Sequence, residues 1–233
     1  MPDNHLSSQF DAELKGASSR LMEMGGLVEV QIRHAIYALT HLHAETAQQV
    51  RVDEARVNAY EIEIDRDISS IIARRQPAAG DLRLLLAIAR ATANLERAGD
   101  EANKMARMVQ SIIEKGSARL LPSGDLRLVS ELASGQLRKS LDAFARFDAA
   151  EALTIIKDDD AIDREFGGYV RKLITYMMED PRTISSCLDL LSLAKSIERI
   201  GDHAKNIAEC TIYVVKGMDV RHASLDEVAS AMK

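Results

Sequence analysis

Apolar residues recur at three- and four-residue intervals along almost the whole chain, which is the spacing of an α-helix rather than a strand. Polar stretches that contain proline or glycine interrupt this periodicity and predict the helix ends. We place six long helices approximately at residues 10–42, 45–75, 81–114, 125–147, 149–178 and 182–216. Helices of this length suit antiparallel bundles with short connections, so the predicted fold class is all-α.

An internal repeat divides these helices into two sets of three. Residues 96–100 read Glu-Arg-Ala-Gly-Asp, and residues 198–202, which lie 102 positions later, read Glu-Arg-Ile-Gly-Asp. This Glu-Arg-x-Gly-Asp motif falls on the third helix of each set. Residues 121–124, Leu-Pro-Ser-Gly, form the clearest linker in the chain. We therefore predict two tandem three-helix bundles, the first over residues 1–119 and the second over residues 120–233.

Each copy of the motif is costly for an isolated helix. Its two acids stand at i and i+4, so they point the same way from adjacent turns and repel each other by roughly 0.2–0.5 kcal/mol. The interior glycine costs up to about 1 kcal/mol relative to alanine. A second pair of positions repeats as well, since Glu54 and Asn58 on the second helix correspond to Asp159 and Asp163 on the fifth, 105 positions later. Duplication in register suggests that the chain uses these acids.

A metal site is the use that fits carboxylates converging from two neighbouring helices. Oxygen ligands of this kind suit Mg²⁺, Mn²⁺, Ca²⁺ or iron, and Zn²⁺ is a further candidate. The predicted metal ligands are Glu54, Glu96, Asp100, Asp159, Asp163, Glu198 and Asp202.

Local ion pairing is the alternative. Asp100 has Arg97 at i−3 and Lys104 at i+4, and Asp202 has Arg199 at i−3.

Other residues have simpler interpretations. Gly99 and Gly201 let two helices approach closely, and Cys187 and Cys210 lack metal-motif spacing, so we expect them to be small buried apolar groups. His203 follows the aspartate of its motif and points away from the paired carboxylates, so we expect it at the surface.

The overall composition excludes several classes of protein. The net charge of −6 provides no basic face for nucleic acid. No segment approaches the roughly 18 apolar residues that span a bilayer, and the N-terminus has no signal-peptide pattern, so we expect a cytoplasmic protein. No nucleophile elbow, P-loop or dinucleotide fingerprint occurs, and we expect no enzymatic activity.

Four segments of the chain together carry a family resemblance: the tandem Glu-Arg-x-Gly-Asp motif, and residues 76–83, 176–183 and 215–222. By these segments the chain resembles the PhoU family of phosphate-uptake regulators. The resemblance implies two three-helix bundles whose acid-x-x-x-Asp motifs bind metal in some members. Asn58 stands where a complete motif has aspartate, so we expect the first half to bind metal more weakly than the second.

The resemblance also implies a function. Family members act as negative regulators of the phosphate-starvation response, as adaptors between the phosphate ABC transporter, through its ATP-binding subunit, and a phosphate-sensing histidine kinase. We also expect a homodimer that associates with the membrane peripherally, through these partners, and the net charge leads us to expect no nucleic-acid binding. Two alternatives stay open: a metal-storage or metal-dependent enzymatic protein, and a purely structural scaffold.

Overall fold

Seven α-helices and one short 3-10 turn make up the structure, a computed structural model that describes residues 8–114, 126–224 and 227–228. The described residues contain no strand, so the all-α prediction is confirmed. The helices are α1 (Ser8–His41), α2 (Ala44–Arg75), α3 (Ala79–Glu114), α4 (Leu126–Arg146), α5 (Ala149–Asp158), α6 (Asp160–Glu179) and α7 (Ile184–Lys216), with the 3-10 turn at Pro181–Thr183. The predicted linker and the boundary between residues 119 and 120 lie outside the described residues.

The predicted fifth helix is wrong in one respect, because it is divided at Asp159 into α5 and α6. The Asp159 carboxylate accepts hydrogen bonds from Gln136 on α4 and Lys205 on α7, at 3.1 and 2.8 Å. The Ile162 amide bonds the Asp159 carbonyl at 3.0 Å, a three-residue step that interrupts the α-helical ladder. Each half still consists of three helical rods, the second of them in two pieces.

Polar caps and left-handed residues end the helices locally. Leu42 and Gln76 adopt φ values of 51° and 49° at the ends of α1 and α2, and Gly217 adopts 72° after α7. The Asp148 carboxylate accepts hydrogen bonds from two backbone amides in the first turn of α5. Connections of two or three residues then turn the chain back on itself within the first half.

The two halves share one hydrophobic core. Helices α1, α2 and α3 pack against one another, as α4, α5 and α6 pack against α7. The halves join where α3 meets α7 and where α1 meets α4, and a single cluster of buried apolar side chains runs through both halves. No helix among the described residues has both the length and the apolar composition that crossing a membrane requires.

Candidate functional site

Three predicted metal ligands come together in the first half. One carboxylate oxygen from each of Glu54, Glu96 and Asp100 lies within 4.8 Å of the other two. Glu96 and Asp100 stand one turn apart on α3, and Glu54 reaches them from α2. We call these three residues the first-half cluster.

Gly99 leaves room on α3 for the Gln31 side chain of α1, which binds Glu54. A Cβ atom at this position would lie 2.8 Å from Gln31 Oε1 and 3.5 Å from Glu54 Oε2. The fully buried Gln31 amide donates from Nε2 to Glu54 Oε2 at 2.6 Å and to the Val50 carbonyl at 3.3 Å. The expected role of the glycine in close helix approach is confirmed, and Gln31 is the group that occupies the space.

The electrostatics of the first-half cluster favour the uptake of positive charge. Burial, together with the nearby carboxylates of Asp100 and Glu96, raises the pKa of Glu54 to about 7, although the Gln31 hydrogen bond opposes the shift. Burial and the charges of Asp100 and Glu61 also raise the pKa of Glu96 above its ordinary value. Burial and the neighbouring carboxylates both disfavour the ionised form of these acids, and a bound cation would favour it.

The alternative of local pairing does not hold for Asp100. Among residues 8–114 and 126–224, neither Arg97 nor Lys104 forms an ion pair with Asp100. Lys104 instead binds Glu101, with its Nζ 2.7 Å from Glu101 Oε1, and Arg199 of α7 contacts the same oxygen at 3.2 Å.

Two buried acceptor atoms support a cation at the first-half cluster. Gln31 Oε1 and Asn103 Oδ1 are both buried without a hydrogen-bond partner. Asn103 follows Asp100 at i+3 on α3, and Gln31 Oε1 lies against Gly99, the residue before Asp100. Orphaned oxygens beside three carboxylates form a donor set of the kind that hard divalent cations bind.

The second half arranges its predicted ligands differently. Lys195 Nζ lies 2.7 and 2.6 Å from the two oxygens of Glu198, and Lys205 Nζ lies 2.8 Å from Asp159 Oδ2. Loss of water around the carboxyl group, with Glu198 and Asp159 nearby, raises the pKa of Asp202 to about 6, although the residue as a whole is exposed. In the part of the chain that the structure describes, no trio of second-half acids meets the spacing of the first-half cluster.

The remaining predicted residues lie at the edges of these clusters. Asp163 is exposed, although its charge contributes to the raised pKa of Asp202. Asn58 is exposed one turn after Glu54 and is not one of the first-half trio. The structure therefore gathers the closest carboxylates in the half that we expected to be the weaker site.

Sequence reasoning missed five residues of these sites, one of which is Asn103, although comparison of the two halves contains the signal for the other four. Gln31 and Gln136 are 105 positions apart, and Gln136 donates to Asp159 as Gln31 donates to Glu54. Lys195 and Lys205 fall opposite Ala93 and Asn103 at the 102-residue offset. Aligning the two halves beyond the acidic motif would have found them.

The prediction that His203 lies at the surface is wrong, because the direction away from the carboxylates leads to the other half of the molecule. The His203 ring is buried at the α3–α7 interface, and its Nδ1 lies 3.1 Å from Asn94 Oδ1. Burial, with a smaller contribution from Arg199, lowers the pKa of His203 to about 4. The expectation for Cys187 and Cys210 is confirmed, since both are free and buried.

Fold and site together define an all-helical tandem-repeat protein with carboxylate clusters between its second and third helical rods. A family model described as "PhoU domain" matches residues 21–109 and again residues 126–211. The chain belongs to the PhoU family. Its resemblance to this family, inferred from the motifs, is thereby confirmed.

Named relatives match nearly the full chain. The phosphate-specific transport system accessory protein PhoU homolog of Burkholderia sp is 50% identical over 230 residues, covering 98% of both chains. The phosphate-specific transport system accessory protein PhoU of Escherichia coli is 44% identical over 226 residues, covering 97% of this chain and 93% of that protein.

Two solved structures share the fold. The crystal structure of PhoU from Pseudomonas aeruginosa has a TM-score of 0.86 at 45% identity, covering 90% of this chain and all of that one. The phosphate transport system regulatory protein PhoU from Streptococcus pneumoniae has a TM-score of 0.83 at 26% identity, covering 91% of this chain and 99% of that chain.

Proposed function

We propose that this protein is a negative regulator of phosphate uptake and of the phosphate-starvation response. The observation that carries this proposal is the pair of PhoU-domain matches, together with near-complete coverage of relatives named as accessory proteins of the phosphate-specific transport system. It acts without catalysis, as a cytoplasmic adaptor that contacts the ATP-binding subunit of the phosphate ABC transporter and a phosphate-sensing histidine kinase. An adaptor shifts its partners' states by binding one state more tightly than the other.

A phosphate-responsive reporter tests the regulatory role. Cells that lack this protein should express the reporter in high phosphate, and deletion of the histidine kinase as well should silence it again. Reporter activity that stays repressed without the protein contradicts negative regulation. Activity that persists without the kinase contradicts the proposed route.

We further propose that the first-half cluster binds a single divalent cation when the protein is at work. The ligands are all oxygen atoms, which favours Mg²⁺ or Mn²⁺ over Zn²⁺, whose structural sites are rich in nitrogen and sulfur. The bound cation would hold α2 against α3 and relieve the repulsion among Glu54, Glu96 and Asp100. Its role is to fix the shape that the partners contact.

Calorimetric titration with Mn²⁺ and Mg²⁺ tests this site. The wild-type chain should bind one ion, Glu96→Gln with Asp100→Asn should abolish binding, and Glu198→Gln with Asp202→Asn should leave it intact. Equal affinity in the first variant and the wild type would contradict the assignment. A metal-storage role, the alternative, requires many ions per chain in the same titration.

The expected homodimer stays a prediction, which sedimentation of the intact chain tests.

A further inference from the structure

The two halves differ most where their carboxylates need countercharge. In the second half, Lys205 binds Asp159, which is buried, and Lys195 binds Glu198. Both lysines project from α7 onto the acidic face. Each ammonium group therefore contacts one of the predicted second-half ligands.

The lysines are held in place by their surroundings. The Lys205 ammonium donates to Asp159 Oδ2 at 2.8 Å, and this carboxylate is buried and also accepts from Gln136. The Lys195 ammonium lies 5.5 Å from the centre of the Phe166 ring, close enough for a cation–π contact with α6.

The first half lacks all three of these features at the equivalent positions. Ala93 stands opposite Lys195, Asn103 opposite Lys205, and Glu61 opposite Phe166. The structure agrees with these sequence offsets. Val57 lies against Gly99 in the first half, and Ile162, the residue at the equivalent position, lies against Gly201 in the second half. The first half therefore has a fourth acid, Glu61, and no lysine at these positions. The second half has Phe166 in place of that acid, and it has the two lysines.

We infer that Lys195 and Lys205 act as built-in cations that exclude metal from the second-half acids, so that this chain binds metal on one side only. The contrast between the halves rests on the proposed cation in the first half. The exclusion of metal by the two lysines can be tested without that cation. At an effective dielectric constant of about 20, Coulomb repulsion between an ammonium group and a divalent ion a few ångströms away lowers the affinity for the ion by at least about tenfold. A site that carries its own ammonium groups is therefore closed to metal at ordinary concentrations.

Transplanting the first-half residues into the second half tests the inference directly. In a Glu96→Gln, Asp100→Asn background, which removes the first-half cluster, Lys195→Ala with Lys205→Asn should create a new Mn²⁺ site. Calorimetry and the electron paramagnetic resonance spectrum of bound Mn²⁺ should report about one ion per chain, lost again on Asp202→Asn. The matched control is Lys139→Ala with Lys157→Asn, which removes two exposed lysines from the same half and should create no site.

The reciprocal exchange keeps the test decisive if loss of the lysines impairs folding. Ala93→Lys with Asn103→Lys in the otherwise unchanged chain should weaken Mn²⁺ binding at the first-half cluster at least about tenfold relative to Ala93→Gln with Asn103→Gln. Lys205→Asn alone is the milder second-half variant and should create a weaker Mn²⁺ site.

The outcomes separate this inference from the proposed function. A folded lysine-deleted variant that binds no Mn²⁺, or a second half that binds Mn²⁺ equally well with its lysines present, overturns the inference. Where the wild-type first half binds Mn²⁺, equal affinity of the lysine and glutamine variants there also overturns it. If the wild-type first half binds no metal but the lysine-deleted second half does, the inference stands and the proposed first-half cation fails.

Discussion

At the scale of single residues, the two motif glycines occupy different surroundings. A Cβ on Gly99 would meet Gln31 Oε1 at 2.8 Å, whereas a Cβ on Gly201 would meet Ile162 Cδ1 at 2.7 Å. The Gln31 amide is held by two hydrogen bonds, but the end of the Ile162 side chain can rotate. The same substitution should therefore have different effects in the two halves.

We predict that Gly99→Ala lowers the free energy of unfolding by about 1–3 kcal/mol, because it displaces a buried amide from its acceptors. Gly201→Ala should be close to neutral, since the gain in helix propensity of up to about 1 kcal/mol offsets a side-chain adjustment. Urea denaturation of both variants measures the difference. Equal destabilisation of the two variants would show that the Gln31 amide is not what disfavours a side chain at position 99.

The sequence predicted the direction in which the motif side chains point, but not the residues that they contact. Helical periodicity correctly oriented Glu96 and Asp100 toward one side of α3, and the residue after each aspartate toward another. It could not reveal that this other side faces a second bundle, which is why His203 was expected in solvent. Contacts between the halves depend on how the bundles dock, and a single sequence carries no local signal for that.

At the scale of elements, helix ends were predictable to within about two residues because proline, glycine and polar caps mark them. The division between α5 and α6 carried no such mark. Asp159 keeps right-handed helical angles, φ −55° and ψ −38°, so neither glycine nor proline is needed. What distinguishes this junction is tertiary: its carboxylate is committed to α4 and α7.

We predict that Asp159→Ala destabilises the protein by about 1–3 kcal/mol, because it leaves the Gln136 amide and the Lys205 ammonium without their acceptor. Asp160→Ala, at an exposed neighbouring position, is the control and should change little. Thermal unfolding followed by circular dichroism measures both. Similar stability of the two variants would argue against a junction anchored by Asp159.

At the scale of the whole molecule, the halves meet across α3 and α7 through polar as well as apolar contacts. Glu101 binds Arg199 across the interface, and Asn94 accepts hydrogen bonds from His203 and Asn206. Protonating His203 would add charge to a buried site. The charged groups that face it are Arg97, Glu101 and Lys104 on α3 and Arg199 on α7.

This arrangement predicts a pH dependence of stability. The pKa of His203 is about 4 in the folded protein and about 6.5 when unfolded, so the unfolded state binds the proton more readily. The contribution of neutral His203 is complete above about pH 6.5 and is lost as the pH falls toward 4, by up to about 3 kcal/mol.

His203→Gln should therefore flatten the decline in unfolding free energy between pH 7 and 4.5, measured by urea denaturation. His222→Gln, at an exposed position, should retain the wild-type slope. Identical slopes in all three proteins would contradict a buried neutral His203.

The shared core predicts how separated halves should behave. Fragments 1–119 and 120–233 should each be helical, because each has its own apolar periodicity, but each should expose the face by which α3 meets α7. When they are mixed, sedimentation should detect a one-to-one complex. The melting temperature of this complex should be higher than that of either fragment alone. Fragments that remain unfolded even when combined would contradict two bundles with a common core.

The docking of α3 on α7 and of α1 on α4 sets equivalent helices of the repeat against each other, as an isologous interface does in a twofold-symmetric pair. In a pair of identical chains, every substitution appears twice, so a glutamate on one side of the axis always has a glutamate on the other. Joining both copies in one polypeptide removes that restriction. Glu101 and His203 can then occupy equivalent positions in the two halves, and lysines can be present in one half only. The covalent link therefore allows two copies of one fold to acquire different functions.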